Sequence, residues 1–92
     1  MITAIVMVYT AADRIPETAQ AIADLEGVAE VYSCAGDVDL VAVVRVSAHE
    51  ELADVIAGRL SKVEGVRRTD THIAFRSYSK ADTDATFSIG LS

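Results

Sequence analysis

The chain has 92 residues, of which 51% are hydrophobic and 24% are charged, and its formal net charge is −6. This length predicts one domain with a modest core, and the composition is typical of a folded protein rather than a disordered one. The acidic balance argues against direct nucleic-acid binding, because Lys and Arg side chains that neutralise phosphates supply most of the affinity in such complexes.

Further features bear on location and architecture. The longest apolar runs have the length of a β-strand, so no membrane-spanning helix is predicted. The first predicted strand begins at residue 2, which leaves no room for a helix-turn-helix ahead of it. The single cysteine, Cys34, excludes an intrachain disulfide and fits a reducing compartment, so we expect a cytoplasmic location.

The sequence nearly repeats itself at an offset of 38 residues, as Gly27 and Gly65 illustrate. Identical residues recur at this offset in three places: Ala4, Val6 and Val8 match Ala42, Val44 and Val46, Ala19 matches Ala57, and Glu26-Gly27-Val28 matches Glu64-Gly65-Val66. Each unit has the order strand, helix, Gly, strand. Two such units predict the α+β class with a ferredoxin-like split βαβ fold, in which the order βαββαβ forms one four-stranded antiparallel sheet.

The first unit is predicted to contain a strand over residues 2–9, a helix from about residue 13 and a strand over residues 28–34. Asp13 is the candidate N-cap of the helix, and Pro16 is tolerated because the first turn does not need its N–H. Apolar residues then recur with the helical period. Gly27 supplies the stop, because glycine adopts the left-handed conformation that ends many helices.

The second unit begins after a tight turn at residues 35–39, where glycine and aspartate favour a change of chain direction. It is predicted to contain a strand over residues 40–46 and a helix over residues 48–62. Ser47 and Glu50 form a candidate capping box at the start of this helix.

The fourth strand, predicted over residues 66–77, ends the folded domain, which spans residues 1–77. Residues 78–92 form a C-terminal tail, predicted to be a loop with a short helical turn near Asp84. The tail is polar at first, and its apolar residues come late: Phe87, Ile89 and Leu91.

The two predicted central strands carry apolar side chains on both faces, whereas the edge strands mix in polar and charged residues. Central strands of this kind need cover on both faces, and the two helices cover only one. The other face, with four strands about 4.8 Å apart and about 20 Å long, measures roughly 400 Å², which is large for an exposed apolar patch on a monomer. We therefore expect a homodimer with facing sheets, a dimeric α+β barrel.

Four motifs stand out along these elements: Leu25-Glu26-Gly27-Val28, Gly36-Asp37-Val38-Asp39-Leu40, Val63-Glu64-Gly65-Val66 and Thr69-Asp70-Thr71. Together with the order of elements, they make residues 1–77 resemble the effector domain of Lrp/AsnC regulators, called RAM for regulation of amino-acid metabolism. The chain departs from that family in two respects. Val38 stands where the family usually has an aromatic residue, and the DNA-binding domain is missing, so the stand-alone members are the expected match.

The resemblance implies a non-catalytic domain that binds a small effector, usually an amino acid, and modulates transcriptional regulation. It also implies a ring of dimers such as an octamer, effector sites between dimers, and a full-length Lrp/AsnC regulator as a partner. The implied site comprises Gly36, Asp37, Val38, Asp39, Thr69 and Thr71. There the Gly36 turn would present backbone groups, the two aspartates would receive an ammonium, and the threonines would add hydroxyl contacts.

Three alternatives stay open. The turn at residues 36–39 has an ordinary explanation, since glycine and aspartate favour tight turns without any ligand. Small monooxygenases and isomerases use the same dimeric barrel, although their sites need inward polar groups where this chain has mostly Ala, Val, Ile and Leu. A purely structural assembly module is the third alternative. His49, His72 and Cys34 show no catalytic or metal-ligand spacing, so we expect no catalysis, metal or cofactor.

Overall fold

A computed structural model describes residues 1–78 and 80 of the chain. Four strands form one antiparallel sheet with the order β2-β3-β1-β4: β1 (Ile2–Thr10), β2 (Val28–Ser33), β3 (Leu40–Val46) and β4 (Val66–Ile73). The helices are α1 (Ile15–Ala23) and α2 (His49–Ile56), and short 3-10 turns stand at Ala12–Arg14 and Leu60–Lys62. The predicted α+β, ferredoxin-like βαββαβ fold is confirmed. No helix in the described part of the chain is long and apolar enough to cross a membrane.

The core lies between the sheet and the two helices, and the central strands supply most of it. Six of their residues are completely buried: Ala4, Val6 and Val8 of β1, and Leu40, Ala42 and Val44 of β3. Ile22 from α1 and Leu52 and Val55 from α2 close this layer from the helix side. Because side chains alternate along a strand, the residues between the buried ones face away from the helices.

The 38-residue repeat is visible in the backbone as well as in the sequence. Gly27 and Gly65 have almost the same positive φ, 96° and 98°, a region that favours glycine. The carbonyl of each glycine accepts a hydrogen bond at 2.9 Å from the backbone near the end of a central strand, from the N–H of Arg45 and of Ala11 respectively. The repeat therefore includes the backbone conformation and hydrogen bonding at the point where each helical segment ends and the next strand begins.

Both predicted helix caps are wrong. Neither helix has a side-chain cap, and Asp13 lies inside the 3-10 turn that precedes α1 rather than at its N-cap. Ser47 stands one residue ahead of Ala48, the N-cap of α2, so the capping box with Glu50 does not form. Instead the carboxylate of Glu51 accepts a hydrogen bond from the Ser47 N–H at 3.0 Å. The backbone places each helix start later than the local composition suggests.

Strand β2 ends one residue earlier than predicted, at Ser33, and two other elements are shorter by several residues. Helix α2 ends at Ile56, because Gly58, a poor helix former, follows closely and the chain resumes as the 3-10 turn Leu60–Lys62. Strand β4 ends at Ile73, and residues 74–78 are exposed without regular structure. The helical turn predicted near Asp84 lies outside the described residues, and the domain boundary after residue 77 stays a prediction.

Candidate functional site

The turn between β2 and β3 carries four of the six predicted site residues. It is closed by the backbone N–H of Cys34, which donates to the carbonyl of Asp39 at 2.9 Å. Gly36 has a φ of 128°, and a Cβ atom at this position would meet nothing within 4 Å. Asp37 is exposed and Val38 is half-buried. The backbone at Gly36 and the neighbouring carboxylate of Asp37 are therefore both accessible to a solute.

Asp39 has a structural role that sequence analysis missed. Its Oδ2 accepts a hydrogen bond at 2.9 Å from the backbone N–H of Thr10, 29 residues away in the chain, and the residue is half-buried. Part of the carboxylate's hydrogen-bonding capacity is thus used before any ligand arrives. No local pattern signals this bond, because it depends on the register between β1 and β3.

Thr69 and Thr71 lie on the edge strand β4, opposite Val8 and Val6 of β1. Because directly opposite residues share a face, both threonines lie on the side of the sheet that the helices cover. Strand β1 separates β4 from β3, so they stand two strand spacings, or about 10 Å, from the strand that carries the turn. Within one chain, β1 therefore separates the two threonines from the strand that follows residues 36–39.

The sheet face away from the helices has an apolar centre. It is formed by Ile5 and Met7 on β1 and by Val43 and Val41 on β3, which lie directly opposite them. Ile5, Met7 and Val41 remain half-exposed, and no helix of the described residues packs on this side. We call these four residues the open-face cluster. It is an apolar surface of the kind that a second sheet can cover.

The β2 side of this face is polar, and its groups are paired. The Tyr32 hydroxyl donates a hydrogen bond to the carboxylate of Glu30, and the guanidinium of Arg45 lies 3.5 Å from the same carboxylate. The hydrogen bond to Glu30 raises the pKa of the Tyr32 phenol, because ionising it would break the bond and place two negative charges together.

The β4 side of the same face is also charged. His72 Nε2 lies 3.4 Å from a carboxylate oxygen of Asp70, two residues earlier on the strand. The guanidinium of Arg68 stacks over the ring of Tyr9 on the neighbouring strand, 4.1 Å from the ring centroid. The apolar cluster therefore lies between two polar margins, which is the usual anatomy of a protein interface.

A cleft of about 450 Å³ lies at the end of β3 remote from the turn. Its lining includes Arg45 and Arg59 as well as the acidic residues Glu26, Glu51 and Asp54. Sequence analysis missed this cleft, because its residues come from the segment between α1 and β2, from the end of β3 and from α2 with the residues after it. Both signs of charge are present, so the cleft is a second place where a zwitterion has suitable partners.

The residues considered for catalysis or metal binding lie in different settings. His49 begins α2 on one side of the sheet, whereas His72 lies beside Asp70 on the other side. The thiol of Cys34 is exposed and lies 3.8 Å from the carbonyl of Tyr32. Among residues 1–78 and 80, no three His, Cys, Asp or Glu side chains are grouped as metal ligands.

A ferredoxin-like sheet with helices on one face and an apolar surface on the other is typical of small α+β domains that bind ligands or assemble. The Lrp/AsnC ligand binding domain, as a family model, matches residues 3–83 of the chain. The chain therefore belongs to the Lrp/AsnC ligand-binding domain family, which confirms the resemblance in its motifs. Membership supports an effector-binding, regulatory role rather than a catalytic one.

Individual relatives agree with this assignment. The structure of TTHA0845 from Thermus thermophilus is 48% identical, with a TM-score of 0.81, over 87% of this chain and all of that one. An uncharacterised helix-turn-helix transcriptional regulator of Pyrococcus horikoshii, PH1916, is 39% identical over 59 residues, which cover 64% of this chain. The match spans only 39% of that regulator's length.

A more distant structure shares the fold alone. The transcriptional regulator NMB0573 of Neisseria meningitidis, solved as a complex with L-Met, is 14% identical with a TM-score of 0.75. The superposed region covers 85% of this chain and 52% of NMB0573.

Proposed function

We propose that this chain is an effector-binding and oligomerisation domain that takes a free amino acid and modulates transcription by Lrp/AsnC-type regulators. The observation that carries the proposal is the family match over residues 3–83. The L-Met complex of NMB0573, which has the same fold, supports an amino acid as the ligand class. A full-length regulator of the family is the proposed partner, and the cytoplasm is the proposed location.

Assembly through the open-face cluster is the first part of the proposal. Ile5, Met7, Val41 and Val43 lie on the two central strands and remain without a helix layer in the described chain. Burying such a surface against an identical one removes apolar area from water on both copies, and a two-fold axis achieves this with one interface. We propose a homodimer with facing sheets, and a ring of dimers such as an octamer beyond it.

The effector site is the second part, and it is placed at residues 36–39. Gly36 lets a ligand carboxylate approach the backbone N–H groups closely, and Asp37 offers an exposed carboxylate for the ammonium. The Asp39 carboxylate can accept further hydrogen bonds from the ligand, and its bond with the Thr10 N–H holds the turn against the end of β1. Thr69 and Thr71 lie on β4, with β1 between them and the strand that follows the turn, so we propose that they reach this site from a neighbouring chain.

A thermal-shift screen of the twenty amino acids tests the ligand class, because a ligand that prefers the native state raises its stability. Calorimetry with the selected amino acid then compares the parent with Asp37→Ala at the turn and with Arg59→Ala in the cleft remote from it. We expect weakening of at least about tenfold for Asp37→Ala and no change for Arg59→Ala. The reverse pattern would move the site to the cleft, and a screen without any shift would favour the structural assembly module.

A further inference from the structure

The outer edge of β4 carries a regular row of backbone groups that its neighbour β1 does not use. The N–H of Ala74 donates to the carbonyl of Thr3 at 2.9 Å, so these two residues form a hydrogen-bonded pair of the antiparallel ladder. Because such pairs alternate with non-hydrogen-bonded ones, the N–H and carbonyl groups of Thr69, Thr71 and Ile73 point away from β1. In the described part of the chain, β4 pairs with β1 alone. Its outer edge is therefore a template for a further strand.

A bulge limits the regular part of this edge. The register with β1 shifts beyond Tyr9, where Arg67 is left without a partner. A bulge of this kind disrupts the ladder and interrupts the alternation of outward-facing groups. The regular edge therefore extends from Arg68 to Ala74, and Thr71 lies at its midpoint.

The helix side of β4 leaves room for the side chains of an added strand. An apolar groove of about 350 Å³ lies between α2 and β4, with Leu52, Ala53 and Ile56 on one wall and Thr71 and Ile73 on the other. Ile73 keeps 48% of its surface exposed. Because side chains alternate along a strand, half of those on a strand beside β4 would point to this side and meet the apolar surface.

A second copy of β4 fits this edge in an antiparallel arrangement about a two-fold axis. Outward-facing groups must meet outward-facing groups, so the axis passes through a residue of the strand rather than between two residues. An axis at Thr71 pairs the two copies over the whole regular edge and sets Thr69 opposite the partner's Ile73. An axis at any other residue shortens the paired stretch, because it brings the bulge or the residues beyond Ala74 opposite β4.

The charged residues of β4 select the same axis. Asp70 and His72 lie on the open face of the sheet, opposite Met7 and Ile5 of β1. With the axis at Thr71, each Asp70 stands directly opposite the partner's His72, in a non-hydrogen-bonded pair where side chains are closest. His72 Nε2 already lies 3.4 Å from a carboxylate oxygen of Asp70 in its own chain. An axis at Asp70 would instead set two carboxylates opposite each other, which is destabilising.

We infer that the β4 edges of two chains pair antiparallel about a two-fold axis at Thr71, with Asp70 opposite the partner's His72. The pairing uses the backbone of Thr69 and Thr71 and leaves their hydroxyls available to an effector. It rests on the proposed sheet-to-sheet homodimer, because one pair of edge strands is marginal in water and the two edges that each dimer carries act together. Two different two-fold interfaces link dimers into a ring or a longer array.

Light scattering of the full-length chain at micromolar concentration, with edges of a single charge sign, tests the pairing. The acidic-edge variant, His72→Asp, sets carboxylates opposite each other, and the basic-edge variant, Asp70→Lys with His72→Lys, does the same with ammonium groups. Each variant alone should have twice the 9.8 kDa chain mass, and the parent should exceed that mass. An equal mixture of the two variants should also exceed it, since every carboxylate then faces an ammonium of the partner.

A control and a second measurement accompany the masses. Ala23→Asp makes the same change of charge as His72→Asp on the exposed side of α1, and it should keep the parent's mass. Amide hydrogen exchange reports on the edge itself. The amides of Thr69, Thr71 and Ile73 should exchange at least about tenfold more slowly in the parent than in either edge variant.

The outcomes separate the two interfaces. A parent with the mass of two chains would overturn the edge pairing and leave the sheet-to-sheet dimer, whereas a parent with the mass of one chain would overturn both. A His72→Asp variant with the parent's mass, or a mixture that stays at two chains, would overturn the pairing of Asp70 with the partner's His72. Equal protection of the three outward amides in the parent and in the edge variants would mean that β4 is covered in another way, and would also overturn the pairing.

Discussion

The carboxylate of Asp39 accepts a hydrogen bond from the backbone N–H of Thr10, and this bond joins the proposed effector turn to the end of β1. The same side chain that a ligand ammonium would approach therefore also holds the turn in place. Any substitution of Asp39 changes both roles unless the new side chain retains an acceptor at this position.

Asp39→Asn and Asp39→Ala should separate these two roles. Asparagine keeps an oxygen acceptor for Thr10 and loses the charge, so its free energy of unfolding should stay near that of the parent while amino-acid binding weakens at least about tenfold. Alanine loses both, and should in addition lower the free energy of unfolding by about 1.5–3 kcal/mol. Denaturant unfolding and calorimetry measure the two effects. Equal stability of Asp39→Ala and the parent would contradict the structural role.

Substitution of Gly65 and of Gly36 by alanine should lower the free energy of unfolding by different amounts, although both glycines have positive φ. A Cβ atom at Gly65 would collide with the hydroxyl of Thr18, which itself donates to the carbonyl of Glu64 at 3.0 Å. Gly65→Ala should therefore lower the free energy of unfolding by more than about 2 kcal/mol, from strain and a broken contact together. Gly36→Ala meets open space and should cost about 1 kcal/mol from backbone strain alone. Denaturant unfolding of both variants checks the order, and a reversed order would contradict it.

A charge in the open-face cluster should abolish assembly. Val41→Lys places an ammonium at the centre of the proposed sheet-to-sheet interface, where leaving water is costly without a partner. Light scattering at micromolar concentration should give at least twice the 9.8 kDa chain mass for the parent and the chain mass for the variant. Ala23→Lys, on the exposed side of α1, is the matched control and should keep the parent's mass. A parent protein with the mass of a single chain would contradict the proposed homodimer.

Tyr32 should titrate above its ordinary range because of Glu30. The hydrogen bond from its hydroxyl to the Glu30 carboxylate favours the neutral phenol, which raises the pKa. The stabilisation from this hydrogen bond is fully present below the ordinary pKa of tyrosine, and it is lost as the pH rises through the raised pKa of Tyr32. Ultraviolet or NMR titration should show the pKa of Tyr32 fall towards its ordinary value in Glu30→Gln. No change in that variant would contradict the assigned cause.

Most of the fold was predictable, because its signals are local. The repeat between Gly27 and Gly65 identified two equivalent units, and the strand over residues 40–46 has the predicted bounds. The helix starts were not predictable, since choosing between Glu50 and Glu51 depends on where the backbone leaves β3. Local composition does not tell which of two neighbouring glutamates accepts the hydrogen bond from the backbone at the start of α2.

The sequence by itself determined the family, the βαββαβ order and the apolar parity of the central strands, because periodicity and glycine conformation act over a few residues. Only the tertiary structure decided how distant segments meet. The register of β1 with its two neighbours brings Thr10 to Asp39, and it also puts Thr69 and Thr71 on the helix side of β4, away from residues 36–39. A one-residue change of register would move each of these side chains to the opposite face of the sheet. No local pattern along the chain encodes the pairing of strands that lie tens of residues apart.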